Sequence, residues 1–352
     1  MDLPHIKKTE KILIKGMTLS ELENYCISIG ENRFRGVQIF EWLYRHGVSL
    51  IDEMTNISKS FRNILSEKVE INTLTLAKVS KSQLEPTQKL LFKLFDNNYI
   101  ETVSMIHEGR HTVCISSQIG CALACDFCAT GKMGLTRNLT SGEIIDQLIH
   151  VQKLVDFPIS NVVFMGMGEP FHNYDNVMKA SEIMHEQLGF NLASNRITIS
   201  TAGVVPKIQQ FVDEDRKYNL AISLNASHDS YRDKIMPINK KWKIDELVNV
   251  ARQYSNKKRK NVMFEYVLLE GINDSDDDAY RLIKLLKGSD AKLNIIPYNE
   301  TGKIYKRTDK TSLNRFAKIL FDAQDGYRVL VRWSRGTDID AACGQLASKG
   351  EK

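Results

Sequence analysis

From residue 112 onward, short apolar runs alternate with stretches of helical period, and this alternation most narrows the folds open to the chain. Six runs read as strands, at 113–117, 161–165, 196–200, 220–224, 262–268 and 292–296, with a further one at 328–331. Between the first two stands a helix opened by Thr140 and Glu143 in capping-box spacing. Its Ile144, Leu148, Val151 and Val155 recur along one face. Repeated βα units of this kind predict a parallel sheet wound into an open or partial (β/α)6 barrel, an α/β fold whose chemistry sits on loops after the C-terminal strand ends.

The first hundred residues have other periods. Thr18 and Glu21 stand in capping-box spacing ahead of Leu22, Tyr25, Cys26 and Ile29, and Gly30 closes that helix. A second helix carries Phe34, Val37, Ile39, Phe40, Leu43 and Tyr44 and stops at Gly47, and Phe61, Ile64 and Leu65 mark a third. Between 72 and 106 the period shortens to two, through Leu74, Leu76 and Val79, then Leu90, Phe92, Leu94 and Phe95, then 99–105, which predicts antiparallel strands. The chain therefore divides into a small N-terminal helical domain (1–71), a short antiparallel β segment (72–106) and the barrel core (107–352).

With 352 residues, 42% of them hydrophobic and 26% charged, there is material for a large core and little disordered filler. No run approaches the roughly 18 apolar residues of a membrane helix, and the opening MDLPHIKKTEKILIKG is too charged for a signal peptide, so a cytoplasmic protein with no membrane partner is expected. In a reducing compartment the six cysteines (Cys26, Cys114, Cys121, Cys125, Cys128 and Cys343) read as metal ligands or reactive thiols rather than structural disulfides. The net charge of +5 is compatible with a polyanionic partner. Basic residues gather at Lys240, Lys241 and Lys243, at 257–260, and at Lys303, Lys306, Arg307 and Lys310 around Tyr305; on charge alone such runs are equally well solvated faces.

Three cysteines fall in CALACDFC, where Cys121, Cys125 and Cys128 make C-x3-C-x2-C in a loop expected directly after the first parallel strand. Three thiolates can hold three irons of a four-iron cluster and leave the fourth open to a small chelating ligand. A structural zinc site or plain reduced thiols are the alternatives. Zinc usually takes four ligands in paired units, and no fourth stands at such spacing.

This spacing, at the mouth of a partial βα barrel, resembles that of the radical S-adenosylmethionine (SAM) superfamily. The resemblance implies a [4Fe-4S] cluster whose open iron chelates the amino and carboxylate groups of SAM. An electron from the reduced cluster then splits SAM into methionine and a 5′-deoxyadenosyl radical. GMGEP at 166–170 is similar to the superfamily's Gly-rich motif for the methionine amino group, and Glu169 offers a carboxylate to an ammonium.

A narrower resemblance rests on VCISSQIGCALACDFCATG, GMGEP, ISTAG, SLNAS, MPIN and DIDAACGQL. These motifs occur in the order seen in the RlmN family of adenine-C2 RNA methyltransferases, relatives of the Cfr enzymes. FRGVQIFEWLYRHGV and DEMTNISKSFR extend the likeness to that family's accessory RNA-binding domain. Carbon 2 of adenine, between two ring nitrogens, is too electron-poor to attack a methyl sulfonium, so a radical route is needed. The resemblance implies that Cys343 takes a methyl group from one SAM and that the radical from a second SAM activates it, which makes two SAM per turnover. The carbon radical adds to the base; release then needs loss of the proton at carbon 2 and attack by a second thiol, the role of Cys114, leaving a Cys114–Cys343 disulfide to be reduced each turnover. Glu101, in YIETVSM, corresponds to the proton acceptor. SAM contacts fall on Gly168, Glu169, Ser200, Ser223, Leu224, Asn225 and Asn299, all at or just beyond strand ends. Asn225 departs from the SLHA of many relatives, and its amide keeps the ability to donate and accept.

The implied partners are 23S rRNA, at an adenine of the peptidyl-transferase region, tRNA, at the adenine 3′ to the anticodon, and an electron donor for the cluster. Reaching the ring requires the base to leave its stack, so aromatic platforms near the barrel mouth are expected, in an enzyme that is most simply a monomer. Three rivals remain at this stage. One is a Cfr-like carbon-8 methyltransferase, disfavoured by Pro170 and the matching N-terminal part. Another is a non-catalytic RNA-binding protein holding a structural metal. The last is an activase that makes a glycyl radical on another protein, which would leave Cys343 unexplained.

Overall fold

The computed structural model describes residues 11–302, 304–323 and 325–347. Lys303, one of the basic cluster, lies outside the described residues. The chain opens with β1 (Ile12–Leu13), α1 (Leu19–Ser28), α2 (Phe34–Tyr44), α3 (Lys59–Lys68) and β2 (Val69–Glu70). Thr18 caps α1 reciprocally with Glu21: the Glu21 amide donates to the Thr18 hydroxyl at 3.3 Å and the Thr18 amide to the Glu21 carboxylate at 2.7 Å. The apolar stripes expected for these helices meet, burying Leu22, Cys26, Ile39, Phe40, Leu43, Tyr44, Phe61 and Leu65. β1 pairs with β2 in parallel and so closes the unit. One buried ion pair ties it to the rest: Lys15 donates to Asp146 at 2.6 Å, and that carboxylate also accepts from the Thr73 hydroxyl at 2.8 Å.

Next come β3 (Leu74–Lys81), β4 (Thr87–Leu94), β5 (Tyr99–His107) and β6 (Arg110–Cys114), then β7 (Gln118–Cys121), α4 (Ala129–Lys132) and β8 (Gly134–Asn138). The βα alternation runs through α5 (Ser141–Leu154), β9 (Asn161–Phe164), α6 (Tyr174–His185), β10 (Ile197–Thr201), α7 (Val205–Asp213) and β11 (Asn219–Ser223). It continues with α8 (Asp229–Ile235), α9 (Ile244–Lys258), β12 (Val262–Leu268), α10 (Asp276–Leu286), β13 (Ala291–Pro297), α11 (Lys310–Asp322) and β14 (Tyr327–Val331). Ten strands form one sheet in the order β14-β13-β12-β11-β10-β9-β6-β5-β4-β3. From β6 through β14 every neighbour is parallel, which is the expected partial barrel, with β14 adding a further parallel strand.

The antiparallel segment bridges into the barrel sheet, because β5 pairs with β6 with Val103 opposite Cys114. Two expectations need correction. Phe95 leaves the strand pattern: β4 ends at Leu94, and Phe95 stands exposed in the turn with the Arg137 guanidinium 5.0 Å over its ring. The cysteine loop does not follow the first parallel strand directly. β6 ends at Cys114, and a separate two-stranded hairpin, β7 with β8, carries Cys121 as its last residue before the loop. The hairpin register shifts between Ile119 and Gly120, where φ is +73° and a Cβ would lie 1.8 Å from the Gly134 carbonyl, so only glycine fits the bulge. Among the described residues no helix is long and apolar enough to cross a membrane.

Candidate active site

The C-terminal ends of the parallel strands open into one cavity. Cys121, Cys125 and Cys128 line one wall of it, and Gly168, Glu169, Ser200, Ser223, Asn225, Asn299 and Cys343 line the others. The loop that carries the thiols is held from outside: the Asp126 amide donates to the Ile235 carbonyl at 3.0 Å, the Tyr305 hydroxyl to the Asp126 carboxylate at 2.6 Å, and the Thr301 hydroxyl to the Phe127 carbonyl at 3.0 Å. Burial pushes the Cys121 thiol up to about 12 and raises Cys125 and Cys128 as well, with neighbouring thiols adding to the shift at each.

Glu169 follows β9 and is buried. Its amide donates to Gln118 at 2.7 Å, while its two carboxylate oxygens accept from the Phe171 amide at 3.0 Å and the Ala202 amide at 2.8 Å. Burial outweighs these bonds and pushes the carboxyl up to about 7. Gly168 before it has φ +101°, and a Cβ there would meet the Gln118 side chain at 2.5 Å, so the turn that aims Glu169 inward needs glycine.

Asn225 takes a left-handed conformation, φ +54°, that asparagine tolerates better than most residues. Its side-chain oxygen accepts from the Val267 amide at 2.9 Å, which brackets the end of β11 to β12. Leu224 differs from the other expected contacts, because its side chain is packed in the core and does not line the cavity. Asn299 donates to the Ser334 hydroxyl at 2.7 Å and to the Cys343 carbonyl at 3.2 Å, so it holds the segment that carries Cys343. That segment is also bolted to α4, where the Ala129 amide donates to the Gly344 carbonyl at 2.8 Å and the Thr130 hydroxyl to the Leu346 carbonyl at 2.6 Å.

A second cavity adjoins the first. Cys343, Arg332, Met165 and Ile296 line both, and Cys114, at the end of β6, lines the second alone. The Cys114 and Cys343 thiols are both free. Burial, and then the neighbouring Cys343, push the Cys114 thiol up to about 12, against the pull of Arg332. Glu101 is not with them. It lies in a third cavity, where its carboxylate accepts from Lys89 at 3.1 Å and from the Ala347 amide at 2.9 Å. The segment after Cys343 contributes to both cavities: Gln345 and Ala347 line that of Glu101, and Leu346 lines that of Cys114.

Comparison with known proteins agrees with this architecture. A family model described as the radical SAM superfamily matches residues 115–283, and one described as the ribosomal RNA large subunit methyltransferase N-terminal domain matches 12–71. The dual-specificity RNA methyltransferase RlmN of Geobacter sulfurreducens is 44% identical over 337 residues, covering 96% of this chain and 92% of that protein. The chain belongs to the RlmN family. The RlmN of Pelobacter propionicus is likewise 44% identical over 342 residues, covering 97% of each chain. The crystal structure of a radical SAM methyltransferase from Sphaerobacter thermophilus superposes with a TM-score of 0.91 at 41% identity, over 96% of this chain and 100% of that one. This chain is thus an enzyme of the radical SAM methyltransferase class.

RlmN membership implies SAM and a four-iron cluster, and the thiol wall fits the cluster. Cys121, Cys125 and Cys128 share one cavity wall, and in a cluster each of the three thiolates takes its own iron, which leaves the fourth iron to face the cavity. Arg232 adds a second argument. It is fully buried, forms no ion pair within 4 Å among the described residues, and lies close enough to Cys125, and to Asp229 and Asp233, to feel their charge. A buried cation beside thiolates suits an anionic iron–sulfur group.

Three residues of this site had not been singled out from the sequence. Arg232 donates from Nε to the Leu224 carbonyl at 2.9 Å and from Nη2 to the Ala202 and Ser223 carbonyls at 2.6 and 2.9 Å, which fixes the loops after β10 and β11. Arg332 lies beside Cys343, Glu265 and Cys114, and their negative charge, that of Cys343 first, raises its own pKa. Glu265, mid-strand in β12, has one oxygen bonded to Asn294 at 2.8 Å while the other, 3.7 Å from Arg332, has no hydrogen bond among the described residues. The signals were present: a charge inside the apolar run VMFEYVL, and an arginine one residue past the last strand.

Proposed function

We propose that this RlmN-family enzyme methylates carbon 2 of an adenine in the peptidyl-transferase region of 23S rRNA and of the adenine 3′ to the anticodon in some tRNAs. The observation that carries the reading is the position of Cys343 at the wall between two cavities, with the cysteine triad on one side and a second thiol, Cys114, on the other. When bound, the cluster and two SAM molecules per turnover supply a methyl group to sulfur and a deoxyadenosyl radical. The cluster thiolates are those of Cys121, Cys125 and Cys128. Glu169 takes the SAM ammonium, and Gly168, Ser200, Ser223, Asn225 and Asn299 line its path, with Leu224 contributing through its main chain.

Cys343 presents its sulfur to the first cavity to receive the methyl group and to the second to deliver it. Cys114 then acts as the resolving thiol. Once the adduct has given up its carbon-2 proton and one electron, the latter returned to the oxidised cluster, the Cys114 thiolate attacks the Cys343 sulfur, the S–S bond forms as the carbon–sulfur bond to the adduct breaks, and the electron pair left on carbon takes up a proton. An external thiol reductant restores the two cysteines. Glu101 is the proton acceptor in this reading, which requires residues 344–347 to move aside and release its carboxylate from Ala347. The helical part, 1–71, is assigned to RNA binding.

The test is mass spectrometry of nucleosides from 23S rRNA and tRNA of cells with and without the gene. Loss of 2-methyladenosine from both pools is expected, and a change in 8-methyladenosine instead would make the enzyme Cfr-like.

Glu169 adds a pH signature. A carboxyl that titrates near 7 when folded, against 4.5 ordinarily, is held protonated by burial, so the stability this protonation lends is present below 4.5 and lost as pH rises through about 7. Binding an ammonium needs the carboxylate. SAM affinity of the cluster-loaded protein should therefore climb by up to about tenfold per pH unit below 7 and level off above it. Calorimetric titration across the neutral range checks this, and a profile as flat in the wild type as in Glu169→Gln would refute it.

A further inference from the structure

We infer that Trp333, with Arg110, forms a nucleotide-recognition lip on the second cavity, the indole stacking on an unstacked base of the RNA and Arg110 meeting a flanking phosphate. This deepens the proposed function and rests on it. The chain has three tryptophans, and two are accounted for by packing: Trp42 and Trp242 are partly buried against the core, and Trp42 also donates to Asn56. Trp333 is 57% exposed and is outside that packing. It stands two residues past β14, just after Arg332, whose amide still donates to the Ile295 carbonyl at 2.8 Å, so the strand pleat carries one step past the sheet. The pleat sends the Arg332 guanidinium in, beside Cys114 and Cys343, and leaves the next side chain, Trp333, at the rim of the same cavity.

What the rim could bind follows from its chemistry. Among the described residues no ring or cation of the chain covers the Trp333 indole, which leaves a flat aromatic face open to a partner. Arg110 stands exposed on the same rim, and His107 beside it, so the cavity mouth joins one aromatic face to cationic and hydrogen-bonding groups. That pairing suits a single-stranded nucleotide, whose base stacks on an aromatic face while its phosphate meets an arginine. The cavity behind the rim, floored by Cys114 and Cys343, has room in its lining of Met105, Val163, Met165 and Ile296 for an apolar ring face.

The probe is an anticodon stem-loop RNA carrying the adenine 3′ to the anticodon, presented to the cluster-loaded enzyme under anaerobic reducing conditions. Base–aromatic stacking predicts that Trp333→Ala raises the RNA Kd and KM roughly 5- to 100-fold, while Trp333→Phe restores most of the loss. Quenching of intrinsic fluorescence on RNA addition should be large in the wild type and small in Trp333→Ala. Arg110→Ala should weaken binding and reduce the slope of log affinity against log salt by about 0.7 to 0.9. SAM cleavage in the absence of RNA should be unchanged in all three variants. Equal RNA affinities and equal quenching in wild type and Trp333→Ala would overturn the lip. A wild-type enzyme that binds the stem-loop, with Trp333 quenched, yet methylates no adenine would overturn the parent reading alone.

Discussion

A Cys114→Ala enzyme should stall after a single turnover with the RNA covalently attached, and the adduct should survive denaturing electrophoresis and vanish on ribonuclease digestion. The expectation comes from the composition of the second cavity. Cys114 and Cys343 are the only cysteines among its lining residues, so with Cys114 gone the second cavity offers no thiol to break the bond between Cys343 and the methylated base. The other cluster-side thiols line the first cavity. The fold should hold, since cysteine to alanine in a small buried site costs on the order of 1 kcal/mol. Cys343→Ala gives the complementary result, neither adduct nor product, because the methyl carrier itself is missing. The wild-type resolving step carries a pH signature: burial holds the Cys114 thiol well above the ordinary thiol range, so resolution speeds as pH rises, with Arg332 favouring the thiolate. Arg332→Met should slow resolution at every pH below that raised titration and move its rise to still higher pH. Free release of methylated RNA from the Cys114→Ala enzyme would sink the resolving role.

How far the sequence reached depends on the range of the forces involved. Strands of the core were readable to within a few residues, 262–268 without error, because a fully buried strand must be an apolar run bounded by turns, and that is a local signal. The capping boxes at Thr18 and Thr140 were readable for the same reason. What was not readable depends on contacts between segments distant in the chain. The hairpin that interrupts β6 and the cysteine loop is set by Gly120 approaching Gly134, and nothing local distinguishes QIGC from the end of a longer strand. Glu101 lies within an ordinary alternating strand, and only the return of the C-terminal segment, with Ala347 donating to its carboxylate, decides which cavity it enters. Trp333 likewise takes its meaning from its place at a cavity rim that four separate parts of the chain build.

Arg232 shows why a residue with no chemistry of its own can decide whether the site exists. Its guanidinium is planar and presents donors in a fixed fork, and here the fork takes the carbonyls of Ala202, Ser223 and Leu224 together with the Asn239 side chain at 3.0 Å. Those carbonyls end β10 and β11, two of the strands whose ends are assigned to SAM. Burial lowers the guanidinium to about 10, with the Cys125 charge opposing, so it stays cationic at neutral pH. Arg232→Met would leave these acceptors buried and unpaired, and removal of one partner from such a buried network costs about 3–5 kcal/mol. A fall in Tm of roughly 5–10 °C is expected. Arg232→Lys should recover part of the stability, since an ammonium supplies a charge and three donors but cannot span the fork. Two further readouts separate site from scaffold. SAM affinity should fall in both variants, because the loops are no longer fixed, while the cluster's midpoint potential should drop only in Arg232→Met, which removes the positive charge beside Cys125. Lost stability with an unmoved potential and unchanged SAM affinity would reduce Arg232 to a packing residue.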